Sequence, residues 1–203
     1  MKCFTLLFTL ILVVSSLRAD GWKPEPGFTS LFNGQDLTGW CFRVQTDRTA
    51  TKPGEIIKTF DGKTETPGLG VYTAKDGVLA VSFPMEKDKL RGQLYTVAEF
   101  SKNFVLKLEF RASVNADSGI FLSKPQLQCR DYLRAGPYSE LKQYRPQDWN
   151  QIVVEVKDGI AFCTCNGEVL EAALALPEPG PIGLEGDRGK MEYRHIQLKE
   201  LPN

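Results

Sequence analysis

Between residues 104 and 110 the chain alternates: Phe104, Leu106, Leu108 and Phe110 fall on one side of an extended backbone, Lys107 and Glu109 on the other. Successive side chains of a strand point to opposite faces, so this period of two describes a half-buried antiparallel strand. Ile152, Val154 and Val156 repeat the pattern, with Glu155 and Lys157 turned outward. Turn pairs punctuate the runs. Asp76-Gly77 divides 71–74 from 78–83, Asp158-Gly159 divides 151–156 from 160–165, and Asn166-Gly167 leads into 168–170. Such pairs accept the backbone conformation of a tight hairpin turn. Eighteen glycines and twelve prolines lie among these short Val-, Leu-, Ile- and Phe-rich runs. The expected fold is therefore all-β, two antiparallel sheets packed as a sandwich of jelly-roll type. One short helical candidate, around 139–143, does not alter the class, and the polar stretch 46–70 reads mostly as a long surface excursion.

Residues 1–19 form a separate unit, with Lys2, an apolar stretch over 4–14, and then Ser15-Ser16-Leu17-Arg18-Ala19. This is the pattern of a secretory signal peptide cleaved after Ala19, and its apolar part is short for a membrane span. Residues 20–203 are then one exported domain, periplasmic or extracellular, with no later segment that looks transmembrane. Removing Lys2 and Arg18 leaves 23 basic against 25 acidic side chains. That balance supplies no basic field for phosphate backbones, which argues against nucleic acid as a partner. Four cysteines remain, Cys41, Cys129, Cys163 and Cys165, and export would permit disulfides among them in any of three complete pairings. Cys163 and Cys165 share a strand face and are badly placed to bond to each other. The simplest expectation is small buried side chains with one bridge at most. His195 is the single histidine, and there is no second spaced cysteine pair, so neither a metal nor a cofactor is expected. No nucleophile elbow, phosphate loop or dinucleotide fingerprint occurs.

Longer words emerge when these segments are read in order: Phe28-Thr29-Ser30-Leu31-Phe32-Asn33-Gly34-Gln35-Asp36-Leu37-Thr38-Gly39-Trp40, then Lys75-Asp76-Gly77-Val78-Leu79. The strand 104–110 leads to Asp117-Ser118-Gly119-Ile120-Phe121-Leu122, followed by Trp149-Asn150 and Asn166-Gly167. Gly180-Pro181-Ile182-Gly183-Leu184 and Glu192-Tyr193-Arg194-His195-Ile196 close the series. Together, from Gly27 to Leu201, they resemble the 3-keto-disaccharide hydrolase family. The resemblance implies a concanavalin A-like sandwich of two curved sheets with sugar on the concave face, and action on 3-keto-glycosides. An upstream sugar 3-dehydrogenase would then supply the ketone.

A ketone at C3 acidifies the C2 proton, and its removal gives an enolate that can expel the C1 substituent before water adds back. Such a route needs a base near C2, donors at the C3 oxygen and an acid at the glycosidic oxygen. In the strand after Leu122, Gln126, Gln128 and Arg130 share one face, which suits either a sugar-binding wall or a solvated surface. The family resemblance implies Glu-x-Gln here, and the chain has Gln126-Leu127-Gln128 instead, so the carboxylate is missing from this strand. It is found in Gly183-Leu184-Glu185-Gly186-Asp187-Arg188, where the family carries glutamine after Gly-Leu. Glu185 is thus the leading base and Asp187 the second, with Arg130 as the enolate's stabiliser. Gln126, Gln128, Arg188, Trp40 and Asp117 are the binding candidates; Trp40 either stacks on a sugar ring or packs in the core, and Asp117 binds a hydroxyl or caps a turn. Trp149 is expected at the core edge, and His195 as a structural side chain. The rival readings are a non-catalytic carbohydrate-binding module and a structural or adhesive domain.

Overall fold

The structure is a computed structural model, and it describes residues 21–44, 56–60, 72–82, 92–131 and 137–202. In chain order the strands are β1 (Thr29–Ser30), β2 (Trp40–Val44), β3 (Ile56–Thr59), β4 (Tyr72–Lys75), β5 (Val78–Ser82), β6 (Gly92–Thr96) and β7 (Phe104–Ala112). They continue as β8 (Asp117–Leu122), β9 (Gln126–Arg130), β10 (Asn150–Lys157), β11 (Ile160–Cys165), β12 (Glu168–Ala175), β13 (Ile182–Leu184) and β14 (Lys190–Glu200). An eight-stranded sheet runs β12-β11-β10-β7-β14-β5-β4, with β1 added on β14, and a six-stranded sheet runs β3-β2-β6-β13-β8-β9. Every pairing is antiparallel. The chain is a β-sandwich of jelly-roll type, as the alternation and turn pairs require.

β7 is the centre of the larger sheet, and its inward residues Phe104, Leu106, Leu108, Phe110 and Ala112 are all buried. On one side Leu108 pairs with Ile152 and Leu106 with Val154; on the other Phe110 pairs with Tyr193 and Leu106 with Leu198. This apolar row meets Trp40, Phe42, Leu94, Ile120, Leu127 and Leu184 from the smaller sheet in one core. Full burial of each such side chain stabilises by roughly 1.5–3 kcal/mol, which is what holds the two sheets face to face.

Several expectations change in detail. Part of the polar stretch 46–70 is a strand, β3, which pairs with β2 at the edge of the smaller sheet, and Phe60 after it is buried in the core; residues 46–55 and 61–70 lie outside the described residues, as do residues 1–19. β12 runs on to Ala175 rather than stopping at residue 170. The helical candidate is a single 3₁₀ turn at Pro137–Ser139. Trp149 is not at the core edge: it lies half-buried under the guanidinium groups of Arg194 and Arg111, at 4.1 and 4.7 Å from its ring, over the outer side of the larger sheet. There it is held by cation–π attraction rather than by the core. His195 sits nearby at a bulge in β14, with φ of 54°, stacked on Trp22 and with Nδ1 3.1 Å from a Glu109 carboxylate oxygen. All four described cysteines are buried free thiols, and burial together with the Glu171 and Glu168 carboxylates pushes Cys163 and Cys165 up to about 12. Among the described residues no helix is long and apolar enough to cross a membrane.

The hairpin turns adopt the left-handed conformation that their sequence pairs permit: Asp158 and Gly159 have φ of 50° and 76°, Asn166 and Gly167 of 49° and 85°. At Gly167 an added Cβ would meet open space, whereas at Gly159 it would come 2.9 Å from the Leu176 carbonyl oxygen. Gly167→Ala should therefore cost about 1–2 kcal/mol, the price of a left-handed alanine alone, and Gly159→Ala measurably more. Urea unfolding of the two variants checks the order; equal losses would mean that the Leu176 contact is irrelevant.

Candidate functional site

With the apolar alternate residues of the smaller sheet turned to the core, the other set faces outward. In one row across the sheet the pairing places Tyr95, Gly183, Phe121 and Gln126 side by side. In the next row lie Arg43 and Gln93, then Glu185, then Gly119 and Gln128. Glu185 follows the last residue of β13, and its N–H donates to the Gly119 carbonyl at 2.9 Å, which continues the strand ladder and fixes the carboxylate on this face. The Ser118 hydroxyl, from the core side of β8, donates to the Glu185 carbonyl and anchors it from below.

Gly119 and Gly183 are the reason that side chains from separate strands can touch. A Cβ on Gly119 would overlap the Gln126 side chain, and one on Gly183 would come 2.5 Å from the Tyr95 ring. Across the bare backbone of Gly119 the Gln126 amide reaches Glu185 and donates Nε2–H to its Oε2. The contacts then run along β9: Gln128 Nε2 donates to Gln126 Oε1 at 2.9 Å, and Arg130 Nη2 donates to Gln128 Oε1. Arg130 Nε ends the line 3.2 Å from Asp117 Oδ1, an ion pair without hydrogen-bond alignment. Behind β9, Tyr138 donates to the Gln128 carbonyl at 2.8 Å, and its ring packs against Phe110 and Tyr144. The strand that carries the amides is thus braced from the core.

Glu185 is mostly buried, and its pKa is pushed up to about 7. Burial is the largest cause, followed by the charge of Asp187; the Gln126 hydrogen bond and Arg130 act the other way, and Asp117 adds to the rise. A carboxyl group near 7 exchanges protons readily at neutral pH, which is the property general acid–base work demands.

The structure brings together most of the residues singled out from the sequence. Glu185, Gln126, Gln128, Arg130 and Asp117 form one connected set. Asp117 caps no turn: it begins β8, and its backbone exchanges two 3.0 Å hydrogen bonds with Arg188. Those bonds fold the segment with Asp187 and Arg188 onto the site, where both side chains are exposed at the rim. Trp40 has to be removed from the binding candidates. Its ring is 0% exposed and belongs to the core, because β2 turns Trp40 and Phe42 inward and Cys41 and Arg43 outward. Three outward polar residues were not foreseen, Tyr95, Gln93 and Arg43. The triplet Gln93-Leu94-Tyr95 carries the signal, an apolar residue between two polar-tipped ones, but the strand is short and no turn pair marks it.

The site is thus a carboxyl, amides and a guanidinium gathered on one sheet face of a β-sandwich. The sequence matches the family of 3-keto-alpha-glucoside-1,2-lyase-like domains over residues 27–199, and the chain belongs to that family. Among solved structures it is similar to a candidate glycosyl hydrolase from Parabacteroides distasonis ATCC 8503, at 20% identity and a TM-score of 0.62, covering 87% of this chain and 95% of that one. A second candidate glycosyl hydrolase from the same organism gives 19% identity and a TM-score of 0.52, covering 68% and 93%. No curated protein matches the chain.

The raised pKa has a consequence for stability. A folded-state value of about 7 against 4.5 for an ordinary glutamate means that the folded chain holds this proton more tightly than the unfolded one. The resulting stabilisation is complete below about pH 4.5 and is lost as pH rises to about 7, a change of at most about 3 kcal/mol. Glu185→Gln removes the ionisation, so its melting temperature relative to wild type should climb between pH 5 and pH 8. A constant difference across that range would show that Glu185 titrates normally.

Proposed function

We propose that the protein cleaves the glycosidic bond of 3-keto-glycosides, with Glu185 as the base that takes the C2 proton. The observation that carries this reading is a mostly buried carboxyl near neutrality, linked through Gln126 and Gln128 to Arg130. With the C2 proton on Glu185, the electron pair moves to the C3 oxygen. Arg130 and the amide N–H groups of Gln128 and Gln126 are the donors on hand to hold that enolate. Collapse of the enolate forms the C1–C2 double bond and breaks the bond from C1 to the leaving oxygen, which takes the proton now on Glu185. Water then adds at C1, its proton passing through Glu185 to C2, and the net result is hydrolysis; release before that step makes the protein a lyase. Asp187, at the rim, keeps the Glu185 pKa high and is the second carboxylate near the reacting carbons. Arg188 and Asp117 shape the rim where hydroxyls bind.

The leader-like residues 1–19 support export to the periplasm or beyond, and the substrate's ketone calls for a sugar 3-dehydrogenase acting earlier. The binding-module reading drew its support from the missing carboxylate at position 126. The contact between Gln126 and Glu185 supports the enzyme reading instead, since a carboxyl group stands beside the amide that replaces the expected one.

Incubation of the purified chain with 3-keto-glucosides of both anomers, beside their unoxidised parents and in deuterated water, tests the proposal. The keto forms alone should show product release with exchange at C2. The rate kcat/KM should rise with pH through an inflection near 7, as expected of a base that must be ionised. Glu185→Gln should lower it by about 10²-fold or more. Saturable binding with neither release nor exchange would leave a carbohydrate-binding module.

A further inference from the structure

The half of this sheet face built by β2 and β6 carries two groups that the reaction leaves unused. Arg43 is only 8% exposed, and among the described residues its Nε has no hydrogen-bond partner. Its Nη2 lies 3.5 Å from Glu99 Oε1, a long contact to a side chain that is 59% exposed to water. An ion pair so placed does little to offset the burial of a guanidinium. Tyr95 is 7% exposed; its ring lies over Gly183 and against Phe121, with centroids 5.9 Å apart. β6 runs between β2 and β13, so Tyr95 stands on the strand between those that carry Arg43 and Glu185; both charges act on its phenol, and burial keeps the phenol protonated. Its hydroxyl makes no hydrogen bond to a described protein group.

Arginine has donors and no acceptor, and a protonated phenol can donate as well. A buried cation beside a hydroxyl donor calls for an anion that accepts from both. The order of strands says which part of a substrate would bring it. Enolate donors stand on β9, the base stands at the end of β13, and Arg43 stands two strands further on. Passing along the sheet from β9 therefore follows the sugar from its C3 oxygen through C2 to C1 and the leaving group. Strands lie about 4.8 Å apart, so the Cα atoms of Glu185 and Arg43 are separated by about 10 Å, room for the C1 substituent to extend beyond the bond that breaks.

We infer that Arg43 and Tyr95 form a leaving-group subsite for a carboxylate, so that the preferred substrates are 3-keto-glycosides whose C1 substituent is acidic. The inference rests on the reaction proposed above. The planar guanidinium fork suits a carboxylate in particular, since the two can share paired hydrogen bonds.

The test uses the 3-keto-glucoside of 4-hydroxybenzoate and that of its methyl ester, which differ in the charge at the far end of the leaving group. Wild type should favour the carboxylate in kcat/KM by about tenfold or more, chiefly through KM. In Arg43→Gln the ratio should fall towards one, and Arg43→Lys, which keeps the charge without the fork, should retain part of it. Equal use of both substrates by wild type, or a ratio unchanged in Arg43→Gln, overturns the subsite while leaving the proposed reaction intact. Should neither substrate turn over, the proposed reaction fails. Calorimetric binding of the unoxidised 4-carboxyphenyl glucoside and its methyl ester then decides the subsite alone: tighter binding of the acid that is lost in Arg43→Gln supports it, and equal binding overturns it.

Discussion

The contact between the two sheets is the constraint from which the rest follows. A strand has only two faces, and a slip of one residue would exchange them, so burial of one alternate set fixes the other set outward. In the larger sheet the locked set is the row of β7. In the smaller sheet Leu94, Ile120, Leu127 and Leu184 play the same part, each 4% exposed or less. Tyr95, Gly119, Gln126 and Glu185 face outward as their alternates. The chemistry of the site thus depends on apolar side chains that never approach it.

The site also carries a tension between folding and use. Glu185 must be buried and crowded by Asp187 to reach a pKa near 7, and the same burial penalises its ionised form at working pH. Gln126 relieves part of that penalty by donating to the carboxylate. Gln128 and Arg130 then hold Gln126 in the right amide orientation, since an amide that accepts from Gln128 must present its N–H groups elsewhere. The hydrogen bonds along β9 are therefore an orienting device as much as a set of ligand contacts.

The alternation at 104–110 and 152–156 and the turn pairs at 76, 158 and 166 were enough to read the sandwich, because period and turn conformation are local properties. The trio Gln126, Gln128 and Arg130 was legible for the same reason: three side chains on one strand share a face whatever surrounds them. That face turned out to be the one shared with Glu185, a fact about strand order that no local pattern holds. Trp40 was ambiguous because its neighbour Cys41 is apolar too, so alternation does not say which of them points inward. Arg43 and Tyr95 were missed since their meaning comes from adjacency of β2 to β6 and of β6 to β13. Trp149, an aromatic beside a strand, reads as core until the two arginines that cover it are located on β7 and β14.

The bare backbone at Gly119 lets Gln126 and Glu185 meet, and it has a consequence for how such a protein can change over generations. Glutamate and glutamine have nearly the same shape, and their codons differ at a single base. An acid can therefore leave one strand and reappear on the other in two small steps, with the packing of the sheet almost untouched. The intermediate with two amides would still cradle a sugar while lacking a proton acceptor. On the proposed reaction, turnover and simple retention of a carbohydrate would be neighbouring states, divided by a nucleotide rather than by a refolded site.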